Sequence, residues 1–224
     1  MVLLRFRAFY VALLIGSLLL VGSCTRAIAF PGITPGAKVV LPVFEDVVGQ
    51  LSGQTQVLIV LPTYIPTDAL VPFSEAEGGP QPYLNVPIGP DGQFEGIYAY
   101  ITGASSDRYD LSLDATADCN GAGFCSFGIL MAQRVYQGTP SVASEYAFEL
   151  EPDFRPVMRS PEEQGEVQLA QGITGYFIPY VCGANCDTAK VFWEQQGYRY
   201  SVGIRMASKA AVVQMANSAI NNEP

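Results

Sequence analysis

Hydrophobic and polar positions change period several times along the chain, and each change predicts an element. Val39, Val40, Val43, Phe44, Val47, Val48 and Leu51 recur at helical spacing, with Glu45, Asp46 and Gln50 between them and Gly53 as a stop. Pro42 is well tolerated in a first turn, so an amphipathic helix is predicted over about 41–51. Gln56–Leu61 is a short apolar, β-branched run that predicts a buried strand. Between residues 62 and 92 prolines and glycines crowd the chain, which predicts a long loop, neither helix nor central strand.

From there the pattern is β-like. Residues 94–102 are rich in Ile and Tyr. Tyr109, Leu111, Leu113, Ala115 and Ala117 alternate with Asp110, Ser112, Asp114, Thr116 and Asp118, the signature of a half-buried strand. Residues 126–136 make its antiparallel partner across a loop bearing Cys119 and Cys125, and 137–164 are irregular and acidic. Strands at 166–171 and 174–181 precede Lys190–Glu194 and Tyr198–Arg205, which flank a Gln195-Gln196-Gly197 turn. In the last of these Tyr198, Tyr200, Val202 and Ile204 share one face, and Arg199, Ser201 and Arg205 the other. Ser208 suits an N-cap, Val212, Met215, Ala216, Ala219 and Ile220 form a helical stripe, and Asn221-Asn222 ends it. The prediction is one α+β domain over 38–224: an antiparallel sheet of about six strands, covered by the C-terminal helix and the helix near residue 45.

The N-terminus has a different character. Arg5 and Arg7 precede the uncharged run Phe9–Val21, the length of a signal-peptide core and short for a membrane span. Val21-Gly22-Ser23-Cys24 has the form of a lipobox, which predicts cleavage after residue 23, lipidation of Cys24 and a tether over 24–37. Ala27-Ile28-Ala29 offers ordinary cleavage after residue 29 and a secreted soluble product beginning at Phe30. The first is favoured because Cys24 follows the apolar run so closely. The expectation is a lipoprotein facing the periplasm, its contact with the membrane made by the N-terminal lipid alone.

Composition then narrows the chemistry. The 224 residues include no histidine, which removes Ser-His-Asp and Cys-His machinery and imidazole-ligated metals. A formal charge of −9 argues against nucleic acid as a partner, because phosphate neutralisation needs clustered Lys and Arg. Cys119, Cys125, Cys182 and Cys186 form two local pairs whose intervening Gly and Asn residues permit tight loops, so two structural disulfides are expected, 119 with 125 and 182 with 186. Asp107, Asp110, Asp114 and Asp118 suggest calcium at first sight. On a strand, however, Asp110, Asp114 and Asp118 stand about 13 Å apart in turn, and a solvated face is the expectation.

No metal or cofactor is called for. There is no G-x-S-x-G and no S-x-x-K, and no catalytic residue is assigned. A pair of Asp or Glu carboxylates in a secreted hydrolase is the alternative reading. Trp193, Tyr198 and Tyr200, with Tyr176, Phe177 and Tyr180, are a possible groove for a hydrophobic or glycan ligand, although alternating aromatics on strands more often pack a sheet against a helix.

The segment VFWEQQGYRYSVGIRMASKAAVVQMANSAI resembles the C-terminal module of a family of bacterial envelope proteins of unknown biochemical function, found in predicted lipoproteins and in extracytoplasmic parts of anti-sigma factors. The matching residues are Trp193, Gly197, Tyr198, Tyr200, Ala216 and Ser218, and VLPTYIP at 60–66 resembles the family's entry motif. The resemblance implies an envelope domain with an antiparallel sheet and a covering helix, and no catalytic residue. A binding, sensing or assembly role at the envelope is the expected function, with an envelope protein or a small ligand as partner.

Overall fold

The alternation that begins at Tyr109 builds the centre of the fold. The computed structural model describes residues 39–66, 96–123, 125–146, 158–182 and 186–222. The signal segment, Cys24, the tether and positions 67–92 of the predicted loop lie outside them. The strands are β1 (Tyr98–Ser105), β2 (Arg108–Asp114), β3 (Ser126–Arg134), β4 (Met158–Arg159), β5 (Gly165–Gln168), β6 (Thr174–Ile178), β7 (Val181–Cys182), β8 (Thr188–Gln195) and β9 (Tyr198–Arg205). The helices are α1 (Glu45–Leu51), entered through a 3-10 turn at Pro42–Phe44, α2 (Val142–Glu145) and α3 (Lys209–Ile220). Among the described residues seven strands form one antiparallel sheet in the order β1-β2-β3-β9-β8-β6-β5, one more strand than expected, while β4 pairs with β7 apart from it. The protein is therefore α+β.

One face of the sheet is the core. Tyr109, Leu111 and Leu113 of β2 meet Tyr200, Val202 and Ile204 of β9 and Val191 and Trp193 of β8 in one buried cluster with Phe44, Val47 and Leu51 and the stripe Val212, Met215, Ala216, Ala219 and Ile220 of α3. Helix α3 begins where predicted, with the Ser208 hydroxyl accepting from Ala211 N–H at 3.3 Å. The β8–β9 turn is Gln196–Gly197, and both residues take positive φ (51° and 81°), the form whose twist suits a two-residue hairpin.

The run Gln56–Leu61 departs from its prediction. It is apolar and Val57, Val60 and Leu61 are buried, yet it is not a strand. It crosses the core face of the sheet, where side chains and not a strand edge are within reach. Val60 N–H donates to the Tyr109 hydroxyl, which in turn donates to the Val60 carbonyl, both at 3.2 Å. The Tyr200 hydroxyl donates to the Leu58 carbonyl at 3.3 Å, and Asn222 Nδ2 to the Leu61 carbonyl at 3.0 Å. Backbone groups that must be paired when buried are thus paired by side chains.

Boundaries moved for local reasons. The strand predicted over 94–102 lies at Tyr98–Ser105, and α2 and β4 form within the stretch predicted as irregular. Strand β2 stops at Asp114 because residues 115–123 turn back, held by the Cys119–Cys125 disulfide and by Ala115 N–H on the Cys125 carbonyl at 3.0 Å. The second disulfide joins Cys182 to Cys186 just before β8. No helix among the described residues is long and apolar enough to cross a membrane.

Candidate functional site

The second face of the sheet is polar, and much of it is covered. Register places its side chains in cross-strand rows: Arg108, Gln133, Arg199 and Glu194, then Asp110, Met131, Ser201, Phe192 and Tyr176, then Ser112, Ile129, Gly203, Lys190 and Ile178. Asp110, Asp114 and Asp118 were expected to be a solvated face. Asp118 is exposed, but Ser112 and Asp114 are buried, because the first disulfide loop folds over them. Gly121 N–H donates to Asp114 Oδ2 at 2.8 Å, and at φ +77° a Cβ on Gly121 would stand 2.6 Å from the Thr102 methyl. Only glycine allows so close an approach in that conformation. Arg205 donates from Nη2 to the Gly123 carbonyl, and burial pushes its guanidinium down while the nearby Asp187 charge offsets part of that.

Further along the same face α2 forms a lid. Its anchor is Arg199, whose side chain is 3% exposed. The guanidinium donates to Glu194 through Nε and Nη2 (3.0 and 2.7 Å), to Glu145 through Nη1 at 2.9 Å and to the Pro140 carbonyl through Nη2 at 2.6 Å. A buried guanidinium needs such a set of acceptors, and here the set pulls the helix onto the sheet. Tyr146 packs on Phe192 with ring centroids 5.2 Å apart, and the Lys190 ammonium lies 5.7 Å from the Tyr146 ring centre.

Beneath this lid is a cavity of about 140 Å³, lined by Met131, Gln133, Tyr146, Phe192, Arg199 and Ser201 among others, with Arg108 and Glu145 at its half-exposed rim. Ser201 is 3% exposed, and its Oγ has no hydrogen-bond partner. Arg108 grips Asp110 in bidentate fashion (2.6 and 2.9 Å), which pushes the guanidinium further up. Lys190 pairs with Asp187 at 3.4 Å. Every cation around the cavity thus has a carboxylate partner.

Most of the aromatic set lies elsewhere. Trp193 and Tyr200 stack at 5.5 Å in the core, 2% and 1% exposed, and pack the sheet against α3, although Tyr200 also borders the cavity. Tyr198 is half-buried at the sheet's end with the Arg134 guanidinium 5.5 Å from its ring. Phe177 is also core, while Tyr176 shares the second face. Cys24 is outside the described residues. No group of three or more Cys, Asp or Glu among the described residues is arranged to hold a metal. Arg199 and Ser201 were visible in the sequence only as the polar side of β9. That a four-residue helix would bury them carried no sequence signal.

The two segments that carry the family resemblance meet in space: Tyr64 N–H donates to Ser218 Oγ at 3.2 Å. Compared with protein-family models, with curated proteins and with solved structures, the chain matches none.

Proposed function

We propose that this chain is an extracytoplasmic domain, anchored to the envelope by a lipid on Cys24, that works by binding and not by catalysis, with the second sheet face as its binding face. The observation that carries the binding reading is the covered polar face itself. There the buried Arg199 guanidinium draws the short helix α2 onto the sheet and leaves beneath it a cavity of about 140 Å³ with both polar and apolar walls, the form of a binding site. The two disulfides are compatible with an oxidising location, and the likeness of residues 191–220 to envelope proteins points the same way.

The alternative is a hydrolase with two carboxylates. It draws on Glu145 and Glu194, which converge on Arg199, yet both are half-exposed and each spends an oxygen on that guanidinium. Two measurements test the proposal. Mass spectrometry of the protein from membranes is expected to find an acylated Cys24, and an N-terminus at Phe30 would overturn the anchor. Turnover of a glycoside or ester that disappears in Glu145→Gln or Glu194→Gln would overturn the non-catalytic part.

A further inference from the structure

We infer that β1 is the seam of a homodimer, along which two copies of this chain join antiparallel about a two-fold axis at Ala99. The edge is open to begin with. Strand β1 ends the seven-stranded sheet, and among the described residues its outer side has no backbone partner. Unpaired N–H and C=O groups along an extended edge are a template for another strand. Proteins blunt such edges with charge, proline or brevity, and the opposite edge of this sheet does so: β5 is four residues long and holds Glu166. From Gly96 to Ser105 there is no charge and no proline. The irregularity in its pairing with β2, a bulge, comes only after Ile101.

The residues before that bulge decide which strand fits. Ile97-Tyr98-Ala99-Tyr100-Ile101 reads the same in both directions. Opposed residues of an antiparallel pair point to the same face, so a copy turned about Ala99 sets Tyr98 against Tyr100 and Ile97 against Ile101. On the core side Ile97, Ala99 and Ile101 are half-buried against the core cluster, and a second copy continues that apolar layer. On the second face Tyr98 and Tyr100 are 41% and 44% exposed, and aromatic pairs across strands are favourable. Charge selects the same contact. At a formal charge of −9 two copies repel over much of their surfaces, and least where the edge is neutral. The product is one sheet made of seven strands from each copy, with both second faces on one side.

The test uses the full chain in detergent solution. A contact confined to one strand edge is small for a specific interface, under about 1,200 Å², so a dissociation constant on the order of 10 µM is expected. Sedimentation from roughly a tenth to ten times that concentration should take the mass from one copy toward two. Tyr98→Lys combined with Tyr100→Lys sets like charges opposite each other and should weaken association about tenfold, with the melting temperature little changed because both side chains are exposed. Mixing that variant with one carrying Tyr98→Glu and Tyr100→Glu should restore a dimer of the two.

Ala99→Cys reads the register directly, and serves if the lysine variant folds poorly. On the axis its two Cβ atoms stand about 4.5–5.5 Å apart, so mild oxidation should join the copies. Ala104→Cys lies about 33 Å from its counterpart at 3.3 Å per residue and should crosslink no more than the parent chain. A chain that stays monomeric across the range, a dimer indifferent to the lysine pair, or crosslinking at position 99 no better than at 104 overturns the inference. It fails separately from the proposed anchor, which the state of Cys24 decides.

Discussion

Replacing Tyr109 by Phe removes one oxygen atom and should cost more than many larger changes. The ring stays, so core packing is retained, but Val60 loses the partner of both its N–H and its carbonyl. Val60 and Tyr109 are buried, at 4% and 1% exposure, so water does not readily replace the hydroxyl. An unsatisfied buried polar group costs about 1–3 kcal/mol, and two groups held by 3.2 Å bonds put the expected loss at about 3 kcal/mol. In a domain of this size that lowers the melting temperature by roughly 6–12 °C. Tyr200→Phe is the internal comparison. It breaks the 3.3 Å bond to the half-buried Leu58 carbonyl and should cost about 1 kcal/mol. Urea unfolding of both variants, with amide exchange at Val60, gives the readout: Val60 should lose protection in Tyr109→Phe only. A Tyr109→Phe protein within 0.5 kcal/mol of the parent, with Val60 still protected, would show that something other than this hydroxyl holds residues 56–61, and the account of that segment would fail.

The same hydroxyl predicts alkaline behaviour. Burial pushes its titration above the ordinary tyrosine value of about 10, so the unfolded chain gives up the proton first and stability falls as pH rises past that point. Tyr109→Phe should therefore lose less stability than the parent between neutral pH and pH 11, as unfolding midpoints will report. Gly121→Ala combines positive φ with a 2.6 Å approach to Thr102 and should destabilise by about 1–3 kcal/mol, whereas Gly123→Ala, with open space at its Cβ, should stay within about 0.5 kcal/mol by the same urea titration. Asn222→Ala removes amide contacts to Val39 N–H (2.9 Å), the Val39 carbonyl (2.7 Å) and the Leu61 carbonyl (3.0 Å), and should cost about 2–3 kcal/mol while speeding exchange at the Val39 amide.

The residues that alternate or repeat every three to four positions were legible. Tyr109–Leu113, Tyr198–Ile204 and the α3 stripe occupy the elements their periods predict, because a single buried face is enough to impose each period. Gln56–Leu61 was misread for a physical reason: β-branched apolar composition reports burial, and burial does not say whether the backbone will be paired by a ladder or by tyrosine hydroxyls. Asp114 was misread because a polar residue on a strand's outer face is solvated only when nothing folds over it, and here a disulfide loop does. The cavity was illegible for a related reason. It depends on Glu145, 54 positions before Arg199, closing a salt bridge that no spacing rule announces.

Asn222 also decides how the domain bears load. Val39, the first described residue, is gripped through both its backbone groups by a side chain that follows directly on α3. Tension arriving along the preceding chain therefore reaches that amide clasp first and passes into the C-terminal helix, 183 positions away in sequence, before it can peel any strand from the sheet. A pull from the N-terminal side should open this clasp first, releasing slack at residues 39–41 up to the core anchor Phe44, while the seven-stranded sheet stays paired.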